Sequence, residues 1–273
     1  MSDQDLIYKI VGEKVTNIKK IPFGVSNVNF LVNDKFVVRI KKEKEHFYSY
    51  RHEKEILHKT STLYLSEIVK YLDKDGNKVS EYIQNSHIYS GKNDEIIMAA
   101  KMLKKLHQSP VKTRIKFKPF KRYSYYKNNS NGDFFPHEDA VLKATHKLYR
   151  KYNLVICHND VVDNNLLYTK NKSYLIDYEF AGKNIFLFDL ASFISENNIK
   201  NEKKIKLFLN TYDFPLTNIR ELNIMIMFLN LLWYYWSLER FNKTKLNIYQ
   251  TIANVKKRNI KDDINHINKT KFF

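Results

Sequence analysis

The chain has 273 residues, 43% of them hydrophobic and 28% charged, which excludes a disordered segment and leaves room for one large domain or a two-lobed one. The one cysteine, Cys157, excludes an internal disulfide and fits a reducing cytosol. A net charge of +18 is compatible with nucleic acid or an anionic membrane surface. The basic residues are spread along the chain, however, and Lys, Asn, Ile and Tyr are all abundant, so we assign the charge to composition drift plus a general attraction for anionic nucleotide.

The first residues, Met1-Ser2-Asp3-Gln4-Asp5, are acidic and polar, so no signal peptide is expected there. Leu6, Ile7, Ile10 and Val11 give residues 1–13 a helical spacing, ended by Gly12. Strands are expected at 15–21, 28–32 and 36–40, the last two joined by Asn33-Asp34. Between the first two lies Pro22-Phe23-Gly24-Val25-Ser26-Asn27. Such a loop could cover phosphates with its backbone N–H groups and the Ser26 hydroxyl, and it fits an ordinary hairpin equally well. Arg39 stands in an apolar strand, where a charge needs a partner or a phosphate. The following helix offers Glu53 as that partner, with Glu55 second, although solvated helix charges would give the same pattern. Strands at 67–72 and 78–83, joined by Asp75-Gly76, complete a five-stranded antiparallel lobe with one helix.

Glu81-Tyr82-Ile83-Gln84 leads out of this lobe, where backbone groups could read an adenine edge. Asn93 to His107 is an amphipathic helix with Ile96, Ala99, Ala100, Leu103 and Leu106 on one face. Residues 112–136 interleave basic and aromatic side chains, which suits single-stranded nucleic acid; without a nucleic-acid fold around them they read better as a helical insertion. Glu138 to Tyr152 is a further helix. It leads to the apolar strand 153–157.

The segment from His158 to Asp177 organises the chain. Asp160 and Asn165 sit on a loop before a hairpin (166–169 and 173–176, turning at Asn171-Lys172), and Asp177 leaves its end. Two carboxylates and an amide so arranged can hold Mg²⁺ against a polyphosphate while another group orients a hydroxyl. The spacing, His-x-Asp with Asn five residues past the Asp and then an apolar-Asp strand end, is that of the kinase catalytic loop. Capping of a turn by Asp160 and Asp163 is the plainer alternative. Asp189 falls among apolar residues and must accept hydrogen bonds if buried. Residues 222–241 are long enough for a membrane span, but Asn223 and Asn230 interrupt them, and a core helix is expected.

Taken together, 23–30, Glu81-Tyr82-Ile83, Leu103 to His107, His158-Asn159-Asp160 to Asn165, Leu175-Ile176-Asp177-Tyr178-Glu179-Phe180 and 188–193 resemble the choline/ethanolamine kinase family, especially its small bacterial Lic-type members. The resemblance covers about residues 15 to 250. The Ile-Asp-aromatic-Glu-aromatic run is its most specific part; aminoglycoside phosphotransferases share the loop. It implies an α+β, two-lobed protein-kinase-like fold, with a nucleotide-binding lobe over 1–84 and a catalytic and acceptor-binding lobe over 85–273. It also implies ATP- and Mg²⁺-dependent phosphorylation of choline. Asp160 would then be the base or orienter of the substrate hydroxyl, and Asn165, Asp177 and Glu179 would bind metal. Gly24, Ser26, Asn27, Arg39, Glu53, Glu81 and Ile83 would serve ATP, and His158 and Asp189 would support the loop. Phe23 stands where the family often has a second glycine, and Asn197 where eukaryotic members carry Trp.

Both tryptophans, Trp233 and Trp236, lie at i and i+3 on one helix face. A quaternary ammonium is bound by aromatic faces and a nearby carboxylate. Trp233, Trp236, Phe180 and Glu196 could form such a box, in preference to a purely structural aromatic stripe. The rivals are an ethanolamine, amino-alcohol or aminoglycoside kinase of the same fold and a basic, nucleic-acid-binding pseudokinase. The expectation is a cytoplasmic enzyme with ATP and choline as its ligands, no specific nucleic acid and no membrane span.

Overall fold

The computed structural model describes residues 2–22, 27–43, 45–270 and 272. Gly24 and Ser26 of the nominated nucleotide loop lie outside the described residues. The chain forms two compact units, one of Met1–Ile115 and Ile156–Gly182, the other of Lys116–Val155 and Lys183–Phe273.

The first unit opens with α1 (Asp3–Ile10), started by a capping box between Ser2 and Asp5 and followed by Gly12 at φ +76°, a left-handed angle that glycine takes without a Cβ penalty. Next come β1 (Ile18–Ile21), β2 (Asn27–Val32), β3 (Phe36–Lys41), α2 (Tyr50–Thr60), β4 (Val69–Leu72) and β5 (Lys78–Glu81). The strands make one antiparallel sheet in the order β1-β2-β3-β5-β4. β1 starts later than residue 15 because the Asn33 side-chain oxygen accepts from the backbone N–H groups of Thr16 and Asn17, which takes them out of the ladder. In β3 the period of two divides the strand. Phe36, Val38 and Ile40 join Val32, Val79, Ile7 and Ile10 in an apolar core, leaving Val37, Arg39 and Lys41 on the other face. There α2 buries Glu53, Ile56, Leu57 and Thr60, a stripe at i, i+3, i+4 and i+7.

The short β6 (His87–Ile88) and α3 (Asn93–His107) follow. α3 buries the apolar face expected of it, including Ile96, Ala99, Ala100, Leu103 and Leu106. The second unit begins with α4 (Pro119–Ser130), from the basic-aromatic segment, and α5 (Glu138–Lys151). β7 (Leu154–Cys157) carries the chain into the first unit, where β8 (Leu166–Tyr168) and β9 (Ser173–Leu175) form the expected hairpin and pair with β6 in the order β6-β8-β9. β10 (Gly182–Ile185) carries it back to α6 (Leu187–Glu196), α7 (Glu202–Tyr212), α8 (Ile219–Thr244) and α9 (Asn247–Thr270). α8 is the central helix of its unit, packed by α4, α5, α6 and α9 and buried around most of its circumference. That explains its apolar composition. Among the described residues no helix is long and apolar enough to cross a membrane.

Candidate active site

The loop after β7 is built by buried polar residues. His158 and Asn159 are fully buried. A His158 ring nitrogen lies 2.9 Å from the Ile176 carbonyl oxygen, and its ring meets Tyr178 edge-on at 4.9 Å. The Asn159 amide donates to the Phe180 carbonyl at 2.9 Å. These bonds tie the loop to the segment carrying Asp177 and Glu179. Asn159 and Asp177 both hold left-handed backbone angles, φ +67° and +64°, which cost a non-glycine residue stability and persist where the surroundings fix them. Asn165 donates from its amide to the Asp160 carboxylate at 2.9 Å and to the Asp160 carbonyl at 3.0 Å. The Asn165 backbone carbonyl accepts from the Ile176 backbone N–H at 2.9 Å. Asp160, Asn165 and the approach to Asp177 are therefore one bonded assembly.

The inner face of β3 meets this assembly. Arg39 donates to Glu53 at 2.8 Å and to Asp177 at 2.6 Å, and two further bonds from its guanidinium reach the Gly76 carbonyl. Glu53 is thus the helix acid that pairs with Arg39, whereas Glu55 is partly exposed and bonds Lys59 and Thr113. Burial alone would lower the Arg39 guanidinium; Glu53 and Asp177 outweigh it and hold Arg39 well above its ordinary value. Burial would raise Asp177, but Arg39 and Lys78 keep it below the usual carboxylate range and so ionised. Burial and the Asp177 charge push the Glu179 carboxyl up to about 7, against the pull of Lys41.

Two lysines in this site escaped the sequence reading. Lys41 donates to Glu179 at 2.6 Å, and Lys78 donates to Glu67 at 2.6 Å and lies 3.5 Å from Glu53. Lys78 stands directly across the sheet from Arg39, a like-charge pairing that is unfavourable alone. Glu53 and Glu67 offset it. The signal for Lys41 was present: it is two residues past Arg39 on the same strand face. Lys78 carried none, because its partner is eleven residues away on a loop.

The other nominated nucleotide residues are more dispersed. Asn27 begins β2 opposite Lys41, and its buried side-chain oxygen has no hydrogen-bond partner among the described residues. Glu81 pairs with Lys70 at 2.6 Å in a largely exposed bridge. The Ile83 carbonyl accepts from the Ser86 hydroxyl. Phe180 is buried in the first unit, and Asp189 is fully buried in the first turn of α6 in the second.

The remaining acceptor candidates lie in the second unit. Trp233 and Trp236 meet edge-to-face at 5.7 Å, and Trp236 meets Tyr249 of α9 in the same way at 5.5 Å. Glu196 is held by Lys256 of α9 at 2.6 Å, both side chains nearly buried. Nearby Asn230 donates to Asp263 at 2.9 Å. Burial pushes the Asp263 carboxyl up to about 6, against the Asn230 bond. Its neutral form is therefore the one the fold favours. The stability it contributes is complete below its ordinary value and is lost as pH rises through about 6. Asp263→Asn keeps an acceptor for Asn230 without the charge, so the variant should exceed the parent by up to about 3 kcal/mol at pH 7.5 and converge with it only below the ordinary carboxylate value, near pH 3. Parallel urea melts at the two pH values measure this. Equal stability at pH 7.5 would reject it.

The oxygen-only set of Asn165, Asp177 and Glu179 has the hard-donor chemistry that Mg²⁺ prefers, so these residues fit such an ion. Comparison with known proteins agrees in family and fold. The phosphotransferase enzyme family model matches residues 17–208. Protein LicA of Haemophilus influenzae is 28% identical over 186 residues, 60% of this chain and 69% of that protein. Among solved structures, the choline/ethanolamine kinase family protein of Mesorhizobium loti superposes with a TM-score of 0.82 at 19% identity, over 100% of this chain and 97% of that one. The choline kinase LicA of Streptococcus pneumoniae gives 0.77 at 19% identity, over 95% and 97%. At these identities the structural likeness is one of fold, and that fold is α+β, two-lobed and protein-kinase-like, as the family resemblance implied.

Proposed function

The chain belongs to the phosphotransferase enzyme family, and from that premise we propose that it transfers the γ-phosphate of ATP to the hydroxyl of choline, giving phosphocholine. The observation that carries this reading is the bonded assembly of Asp160 and Asn165 with the Arg39–Glu53–Asp177 ion pairs of the same unit. Residues 1–84 serve the nucleotide in this reading, and 85–273 serve catalysis and the acceptor. Asp160 orients the acceptor hydroxyl and takes its proton as the acceptor oxygen bonds phosphorus and the bond to the ADP oxygen breaks. Arg39, fixed by Glu53, offers its guanidinium to the phosphates. Asn165, Asp177 and Glu179 would hold Mg²⁺, which when bound neutralises the charge on the transferred group. Catalysis of this kind is mainly positioning and charge neutralisation. The reaction uses the cytoplasmic ATP pool, and a single buried cysteine, Cys157, fits that compartment.

Choline is favoured over ethanolamine by the state of Glu196. Its carboxylate is already held by Lys256, which leaves a primary ammonium short of acceptors. Trp236, the partly exposed member of the edge-to-face cluster with the buried Trp233 and Tyr249, offers the aromatic face that suits a trimethylammonium group. Coupled-assay turnover with Mg²⁺ and each alcohol at equal concentration tests the choice. Choline is expected to win in kcat/KM by about tenfold or more. Trp236 is the residue to change, because Trp233 is 6% exposed and its removal would leave a core cavity. Trp236→Ala should raise the choline KM by about thirtyfold, the equivalent of ~2 kcal/mol of cation–π attraction. An unchanged KM would discard the aromatic site while leaving the kinase.

A further inference from the structure

We propose that Lys41 is a built-in countercation of the metal site: it occupies Glu179 while nucleotide is absent and keeps that carboxylate closed to divalent cations. This inference rests on the reading of Glu179 as a metal ligand.

The geometry is that of a constructed pair. Lys41 Nζ lies 2.6 Å from Glu179 Oε2, with the two side chains 4% and 7% exposed. The same ammonium sits 3.9 Å from the centroid of the Tyr48 ring. Tyr48 is itself fixed by its hydroxyl bond to Glu53 at 3.0 Å. The Lys41 backbone N–H donates to the Asn77 side-chain oxygen at 3.1 Å. The space for the lysine stem is provided by Gly76, at φ +88°; a Cβ there would stand 2.6 Å from Lys41 Cδ and 2.8 Å from the Tyr48 hydroxyl. Strand, loop aromatic, hairpin turn and metal-loop acid thus all converge on one ammonium.

Charge explains why such a group is present. Asp177 and Glu179 are two residues apart, Glu179 nearly buried and Asp177 about one-quarter exposed, so their mutual repulsion is only partly screened. β3 supplies one cation to each, Arg39 to Asp177 and Lys41 to Glu179. With these in place a divalent ion finds neither carboxylate uncompensated. A triphosphate entering the site presents oxygens that compete for the same two cations, and Lys41 leaves Glu179 for them. Metal binding is thereby made dependent on nucleotide. Lys41 acts through Glu179 and is a positioning residue.

Mn²⁺ titration of the nucleotide-free protein, followed by electron paramagnetic resonance, tests this without any turnover. Lys41→Gln keeps an N–H donor and removes the charge, and it is expected to tighten Mn²⁺ binding about tenfold or more over the parent. The gain should vanish in the double variant Lys41→Gln, Glu179→Gln, and Lys41→Arg should bind as weakly as the parent. Circular dichroism melts establish that each variant is folded. A folded Lys41→Gln protein with the parent's Mn²⁺ affinity overturns the proposal, as does a gain that survives loss of Glu179. Turnover of the parent with choline, measured separately, reports on the kinase reading itself, so the two failures are distinct.

Discussion

Asp177→Asn and Asp160→Asn are each expected to lower turnover at least about a thousandfold, ~4 kcal/mol in the barrier, with the fold retained. The size follows from what is removed. Phosphoryl transfer depends on charge neutralisation around the moving group, where single well-placed charges are worth about 10³-fold or more. Asp177 is kept ionised by Arg39 and Lys78 despite its partial burial, so the amide takes away a full charge at the proposed metal site. Its structural cost is small, because Arg39 keeps Glu53 and the Gly76 carbonyl as partners. At position 160 the amide oxygen can still accept from Asn165. Initial rates at saturating ATP and choline, beside melts of each variant, give the result. Near-normal kcat in either folded variant would remove that residue from the mechanism.

The second large effect is on stability. Arg39→Met should destabilise the protein by about 3–5 kcal/mol, the range for breaking a buried ion pair from one side. Glu53 has no side-chain exposure and would be left with Lys78 at 3.5 Å and the Tyr48 hydroxyl at 3.0 Å. Its carboxylate is now kept below the usual range because Arg39 and Lys78 outweigh its burial. Removing Arg39 leaves the burial with Lys78 as the remaining compensating charge. The double variant Arg39→Met, Glu53→Met should recover much of the loss, since well-packed apolar groups commonly replace a buried pair at little cost. Urea midpoints across the cycle measure both. A loss below about 1 kcal/mol in the single variant would mean that water or a neighbouring lysine already satisfies Glu53.

Local pattern made several elements legible. The amphipathic spacing of α3 and the turn residues of the β8–β9 hairpin fixed those elements closely, because their cues lie within a few residues. The strand ends were read less well. β1 lost its first residues to the Asn33 side chain, and Glu67 turned inward to Lys78 instead of starting β4. Both outcomes depend on partners distant in the chain. Glu53 could be preferred to Glu55 because it continues the stripe of Ile56, Leu57 and Thr60, so an acid there must be buried and paired.

By itself, then, the sequence determined the fold class and the order of the chemical groups: Arg39 on a strand, Glu53 on the next helix, Asp160, Asn165 and Asp177 around a hairpin. The fold class is what the family resemblance implied; the order of the groups follows from periodicity and motif spacing, which are local. Only the tertiary structure decided which charge sits on which. Lys41 on Glu179, Lys78 on Glu67 and Lys256 on Glu196 each join residues between 11 and 138 apart in the chain. In a chain with 47 lysines and arginines, composition gives no means of choosing three. Burial makes the choice, because a charge carried into the interior by its backbone must meet its opposite there or the fold loses several kcal/mol.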